Sequence, residues 1–148
     1  MAPTTANFVV ERRVGRVVEA RVHQLLTRED ADRYGVAVLE RARGPRDPVL
    51  CADHRYASVY PPPAADRLIE LFRPNNSVFQ RIAIVVSPTN ATLLMQLRRL
   101  ATEARWEHRR VFREADEAAT FLSHVLDADE TRRMREFLAA RPSRAVDP

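Results

Sequence analysis

Five consecutive apolar residues, Ile82, Ala83, Ile84, Val85 and Val86, leave this chain few ways to fold. Unbroken and mostly β-branched, the run fits a strand covered on both faces of a parallel sheet. Ser87 and Pro88 interrupt it, and Ser87, Thr89 or Asn90 can supply the side-chain oxygen that accepts from the free amides of a helix start. Leu94, Leu97, Ala101 and Ala104 then share one helical face with Leu93 and Leu100 beside them, whereas Gln96, Arg98, Arg99 and Glu103 point elsewhere. A short apolar stretch at Val111 and Phe112 supplies the partner strand that a right-handed crossover needs. Arg81 to Phe112 is therefore expected to form one βαβ unit.

The remaining elements arrange themselves around that unit. Phe8, Val10 and Val14 alternate with Val9, Glu11 and Arg13, Gly15 turns the chain, and Val18, Ala20 and Val22 alternate with Glu19, Arg21 and His23. This predicts a β-hairpin with one wet face. Thr27 followed by Asp30 has the form of a helix cap, and Ala31, Tyr34, Val38 and Ala42 make the buried stripe of a helix ending near Gly44 and Pro45. Pro48 to Ala52 reads as a short strand. Pro61 to Pro63 stiffen the approach to a helix whose stripe is Ala64, Leu68, Leu71 and Phe72, and Arg73 to Ser77 are expected to close it as a polar loop. Glu114 to Glu117 begin a further helix, packed through Ala118, Phe121, Leu122 and Val125. A final helix, with Asp129 as the expected cap and Met134, Phe137 and Leu138 as its stripe, stops at Pro142 before a frayed tail.

Several function classes are disfavoured by what is missing. Phosphate cradles need clustered glycines, and Gly15, Gly35 and Gly44 stand far apart. His23, His54, His108 and His124 lack metal-ligand spacing and Cys51 has no CxxC partner, so no cofactor or metal is expected. Cys51 reads as a packed thiol in a reducing compartment. The first residues, MAPTTANF, have neither a basic region nor a hydrophobic core, and no apolar run approaches the roughly 18 residues that span a bilayer, so a soluble cytoplasmic protein without a membrane partner is expected.

Two stretches remain as candidate sites. Asp53, His54, Arg55, Tyr56, Ser58 and Tyr60 crowd the carboxyl end of a strand, the edge at which open α/β sheets bind ligands and partners. Asn75 and Asn76 are expected to border them. Asp53, His54 and Ser58 invite comparison with a catalytic triad, which makes a small hydrolase a third reading, although adjacent residues rarely face one another and no GxSxG elbow is present. The second stretch is the basic patch Arg98, Arg99, Arg105, Arg109, Arg110 and Arg113, interrupted by Trp106, a pattern that suits phosphate contacts with base stacking and makes nucleic acid the alternative partner. Net charge is +4 and every basic residue is arginine, but Glu103, Glu107 and Glu114 interleave the patch, so a solvated, mutually paired face accounts for it equally well.

The segments TREDADRYGVAVLERAR after the hairpin, PPAADRLIELF at the second helix, and EADEAATFL after a short strand occur in an order that resembles the STAS domain of anti-sigma factor antagonists and of sulfate-transporter tails. The resemblance covers about Phe8 to Leu126, giving a domain at 1–126 and an added helix and tail at 127–148. It implies an α/β fold: a mixed, mostly parallel sheet of about five strands with an N-terminal hairpin, covered by four helices, plus an extra C-terminal helix. It also implies a non-enzymatic regulatory module of bacterial-type signalling that binds a regulator or kinase-like protein around the second helix start. There the contact residues would be Asp53, Arg55, Tyr56, Ser58 and Tyr60. The family's phosphorylated serine and following glycine are replaced here by Tyr60 and the three prolines, with Ser58 the nearest hydroxyl. Whether the last helix covers its own sheet, a second copy in a homodimer or another protein is left open by the sequence.

Overall fold

A computed structural model describes residues 7–140; the expectations for MAPTTA and for the tail from Arg141 fall outside the described residues. In chain order the elements are β1 (Phe8–Glu11), β2 (Val17–Val22), α1 (Arg28–Arg41), β3 (Val49–Asp53), α2 (Pro62–Asn75), β4 (Arg81–Val85), α3 (Ala91–Ala104), β5 (Arg109–Phe112), α4 (Ala115–Ser123) and α5 (Ala128–Ala139). The strands form one five-stranded sheet in the order β1-β2-β3-β4-β5. β1 and β2 are antiparallel, and the other neighbours are parallel. The expected α/β architecture is therefore the observed one. Among the described residues, no helix is long and apolar enough to cross a membrane.

Alternation along the strands sends residues to two cores. Val18 and Ala20, Leu50 and Ala52, and Ile82 and Ile84 meet Tyr34 and Val38 of α1, Leu68 and Phe72 of α2, and Leu93 and Leu97 of α3. On the opposite face Val17, Val49, Cys51, Ala83 and Val85 meet Phe121 and Leu122 of α4 and Met134, Phe137 and Leu138 of α5. Each residue of the Ile82–Val86 run is at most 2% exposed, which is what a strand between two helical layers requires.

Local chemistry sets the helix ends. The Thr27 hydroxyl accepts from the Asp30 amide at 3.0 Å while the Asp30 carboxylate accepts from the Leu26 and Thr27 amides, a reciprocal capping box. Asn90 caps α3 by accepting from the Leu93 amide at 3.0 Å. At α5 the cap is Asp127 rather than the expected Asp129, because only Asp127 stands three residues before Glu130, whose carboxylate accepts from the Asp127 amide in return. α2 continues through Pro74 to Asn75, past the expected loop, because Asn75 is buried and the chain then turns into β4.

The hairpin face expected to be wet is covered. Glu19 is 2% exposed and forms a two-pronged pair with Arg133 of α5, at 2.6 and 2.8 Å. Glu130 accepts from the Arg16 amide at 2.8 Å and also pairs with its guanidinium, which fixes the start of the same helix. Gly15 lies beneath it at φ 56°, where a Cβ would overlap the Glu130 carboxylate. Burial of Met134, Phe137 and Leu138 adds about 1.5–3 kcal/mol each. The last helix thus covers its own sheet.

Candidate functional site at the carboxyl edge of the sheet

β3 ends at Asp53, and the His54 amide extends its ladder by donating to the Val85 carbonyl at 2.8 Å. The segment that follows, residues 54–61, is fastened from below. His54 Nδ1 lies 2.6 Å from the Tyr60 hydroxyl, and the His54 ring stacks edge-on against Tyr34 and Tyr60. Gln96 of α3 clasps the backbone of Tyr60, accepting from its amide at 2.9 Å and donating to its carbonyl at 2.8 Å. Asn90, already the α3 cap, donates to the Ala57 carbonyl at 3.3 Å. The cap and one side chain of α3 therefore fix this loop.

Charge is concentrated beneath the loop. The Asp53 carboxylate is fully buried and accepts from the Arg55 amide and Arg55 Nε through one oxygen, and from Arg21 Nε and Arg55 Nη2 through the other, at 2.9–3.1 Å. Burial alone would raise its pKa, but these hydrogen bonds and the two guanidiniums hold it below the ordinary carboxylate value. The arginines also reach α5: Arg21 Nη2 donates to the Phe137 carbonyl at 2.7 Å and Arg55 Nη2 to the Leu138 carbonyl at 2.8 Å. Those are last-turn carbonyls with no partner inside the helix, and cations suit them. Desolvation takes His54 down to about 4, so it is neutral at pH 7, and pushes Tyr60 well above its ordinary value.

Only part of the predicted contact set reaches the surface. Tyr56 is 46% exposed and Ser58 is exposed, whereas Asp53 and Tyr60 are buried and Arg55 is half-buried. Asn75 and Asn76 do not border this edge. They sit at the far end of α2, about 20 Å away along a 14-residue helix. There Asn76 donates to the Ala104 carbonyl and accepts from Arg109 Nη1. Asp53, His54 and Ser58 form no relay, because the carboxylate is engaged by arginines and the imidazole by Tyr60, while Ser58 faces outward. No group of three or more metal-capable side chains occurs among the described residues.

The arginine patch is likewise divided. Arg98, Arg99, Arg105, Arg110 and Arg113 are exposed, but Arg109 is 4% exposed. Strand alternation explains the split: Arg109 points toward α2, over the Phe72 ring, and Arg110 toward α4, over Phe121. Trp106 packs against the first core and stacks beside Arg109.

Sequence reasoning missed Val59, 42% exposed, and Met95, 71% exposed, both at this edge. Met95 had a signal, since it falls off the Leu94 and Leu97 stripe. Because the parallel strands run in order without reversal, no crevice of the switch-point kind opens between them, and the edge is a surface. The chain matches no protein-family model, no curated protein and no solved structure.

Proposed function

We propose that the protein is a non-enzymatic, STAS-like regulatory module of bacterial-type cytoplasmic signalling that docks a partner protein, a regulator or a kinase-like enzyme, on the carboxyl edge of its sheet. The supporting observation is a preordered loop with apolar side chains turned outward. Gln96 and Asn90 fix the backbone of residues 54–61, while Tyr56, Val59 and the neighbouring Met95 remain in solvent. A partner meeting such a surface loses little conformational entropy in ordering it, and a rigid tyrosine is a favourable anchor.

The helix start beside the loop favours apolar contacts over phosphate. Pro61, Pro62 and Pro63 have no amide hydrogens, so the first turn of α2 lacks most of the donors that make a helix N-terminus an anion site. An aliphatic or aromatic plug on the partner fits this edge better than a phosphorylated residue does.

A photo-crosslinking residue placed at Tyr56, in cells of the native host, should yield an adduct with a discrete partner, and one at Thr120 on α4 should not. Val59→Glu should abolish the Tyr56 adduct while leaving the thermal midpoint unchanged. Identical adducts from both positions, or an adduct indifferent to Val59→Glu, would remove this edge from consideration.

A further inference from the structure

The two edges of the sheet are finished differently. On β1 the backbone groups of Phe8 and Val10 face away from β2, since Asn7 accepts from the His23 amide and the ladder alternates from there. Arg41 of α1 closes that edge, its Nε donating to the Val10 carbonyl at 3.2 Å, and Arg12 reaches back to the Arg41 and Arg43 carbonyls. β5 has no such cover. The Ile82 amide donates to the His108 carbonyl and the Val86 amide to the Phe112 carbonyl, so His108, Arg110 and Phe112 turn their backbone toward β4 while Val111 turns its own away. Neither the amide nor the carbonyl of Val111 has a hydrogen-bond partner among the described residues, and the residue is only partly buried. An open edge of this kind is a template for another strand.

The side chains along the edge say which strand fits. Glu114 has an extended backbone, φ −124° and ψ 123°, so the alternation of β5 runs on through it. Arg110, Phe112 and Glu114 therefore share the α4 side of the sheet. Arg110 and Glu114 are exposed, and neither takes part in an ion pair among the described residues. Along one strand they stand roughly 13 Å apart, but an antiparallel copy of the same segment reverses their order. With a twofold axis at Phe112, Arg110 of each copy is directly opposite Glu114 of the other. With the axis at Val111 the two are diagonal neighbours, still within reach of long side chains. An axis at Arg110 would set the two guanidiniums face to face, which like charge disfavours.

We propose that the chain forms a homodimer in which the β5 strands of two copies pair antiparallel, joining their five-stranded sheets into one, with Arg110 of each copy paired to Glu114 of the other. The axis of such a pair is normal to the sheet. The carboxyl edges of the two copies then point in opposite directions, so dimerisation leaves the proposed docking surface of each open.

Sedimentation equilibrium of the full chain tests this. The wild type should show a reversible monomer–dimer equilibrium that weakens as salt rises. Arg110→Glu and Glu114→Arg each turn the pairs on both sides of the axis from attractive to repulsive, and each should weaken the dimer by about tenfold or more. Arg110→Glu combined with Glu114→Arg restores opposite charges across the axis and should return the dissociation constant to within about threefold of the wild type. Independently of the variants, the wild-type Val111 amide should become protected from hydrogen exchange as protein concentration rises through the dissociation constant. A wild type that stays monomeric up to about 1 mM overturns the proposal. So does a dimer indifferent to the single reversals, a double reversal that fails to restore association, or a Val111 amide that exchanges as freely in the dimer as in the monomer.

Discussion

Asp53→Asn tests the ionic knot that joins β2, β3 and α5. The wild-type carboxylate is fully buried and takes four N–H donors from Arg21 and Arg55. Asparagine keeps the shape but offers one oxygen, and its own NH₂ faces guanidinium donors. Removing one partner of a fully buried pair costs about 3–5 kcal/mol. Arg21 and Arg55 retain 14% and 20% side-chain exposure, so water recovers part of that, leaving an expected loss of about 2–4 kcal/mol. For a chain of this size about 3 kcal/mol corresponds to a fall of roughly 6–12 °C in the thermal midpoint. Urea unfolding gives the free energy directly, and Asp53→Asn combined with Arg21→Gln should lose less than the two single changes summed. The sign with pH follows from the depressed folded pKa: the contribution is present above the ordinary aspartate value of 3.8 and fades as pH falls through the lower folded value. The gap between variant and wild type should therefore close in acid. A loss below about 1 kcal/mol at pH 7, or a gap indifferent to acid, would show that the buried carboxylate does not hold these elements together.

His54 supplies a second pH window, on the other side of neutrality from the tyrosines. Its ordinary value is 6.5 and its folded value about 4, so below pH 6.5 the unfolded chain binds the extra proton and stability falls, by roughly 3 kcal/mol once pH reaches the folded value; His54→Asn should flatten urea-derived stability between those limits, and an equally steep decline would assign the effect to other groups. Cys51 is fully buried on the α4–α5 face, and burial first, then Asp53 and Glu19, raise its thiol above the ordinary value. A disulfide reagent should thus label it only at the rate of unfolding in the wild type and faster in Asp53→Asn, with prompt wild-type labelling counting against a tightly seated α5.

What the sequence made legible was governed by local pattern. Ile82 to Val86 declared a doubly covered strand through composition alone, and the stripe from Leu93 to Ala104 declared its helix, because both depend on neighbours a few residues away. The seating of α5 was not legible. Its pairings link Glu19 to Arg133 and Arg16 to Glu130, each across 114 residues, and no local periodicity encodes them. The proposed docking edge was half legible: polar and aromatic crowding after β3 marked the place as a strand end. Exposure could not be read, since Asp53, His54 and Tyr60 are buried by partners on β2, α1 and α3 that only the fold brings near. Met95 was overlooked for the converse reason, an apolar residue that the fold leaves outside.

The two helical layers are held by different forces, and that decides which residues can report on docking. α1 to α3 are bound mainly by apolar packing and by being the connections between strands, and their ion pairs, Arg28 with Glu70 and Arg67 with Asp32, lie at the surface between α1 and α2. α5 adds to its three apolar anchors a series of partly buried ion pairs and carbonyl contacts. Arg55 belongs to both systems, because it follows Asp53 in the chain, lies beside the Tyr56 ring and donates to the Leu138 carbonyl. Replacing Arg55 by alanine would therefore loosen α5, and replacing Tyr60 would strip His54 of its hydroxyl partner and empty a buried site, so a loss of partner capture in either variant would be confounded by a loss of stability. Tyr56, Val59 and Met95 carry no hydrogen bond that the fold depends on, and a defect in partner capture at those positions is attributable to the surface itself.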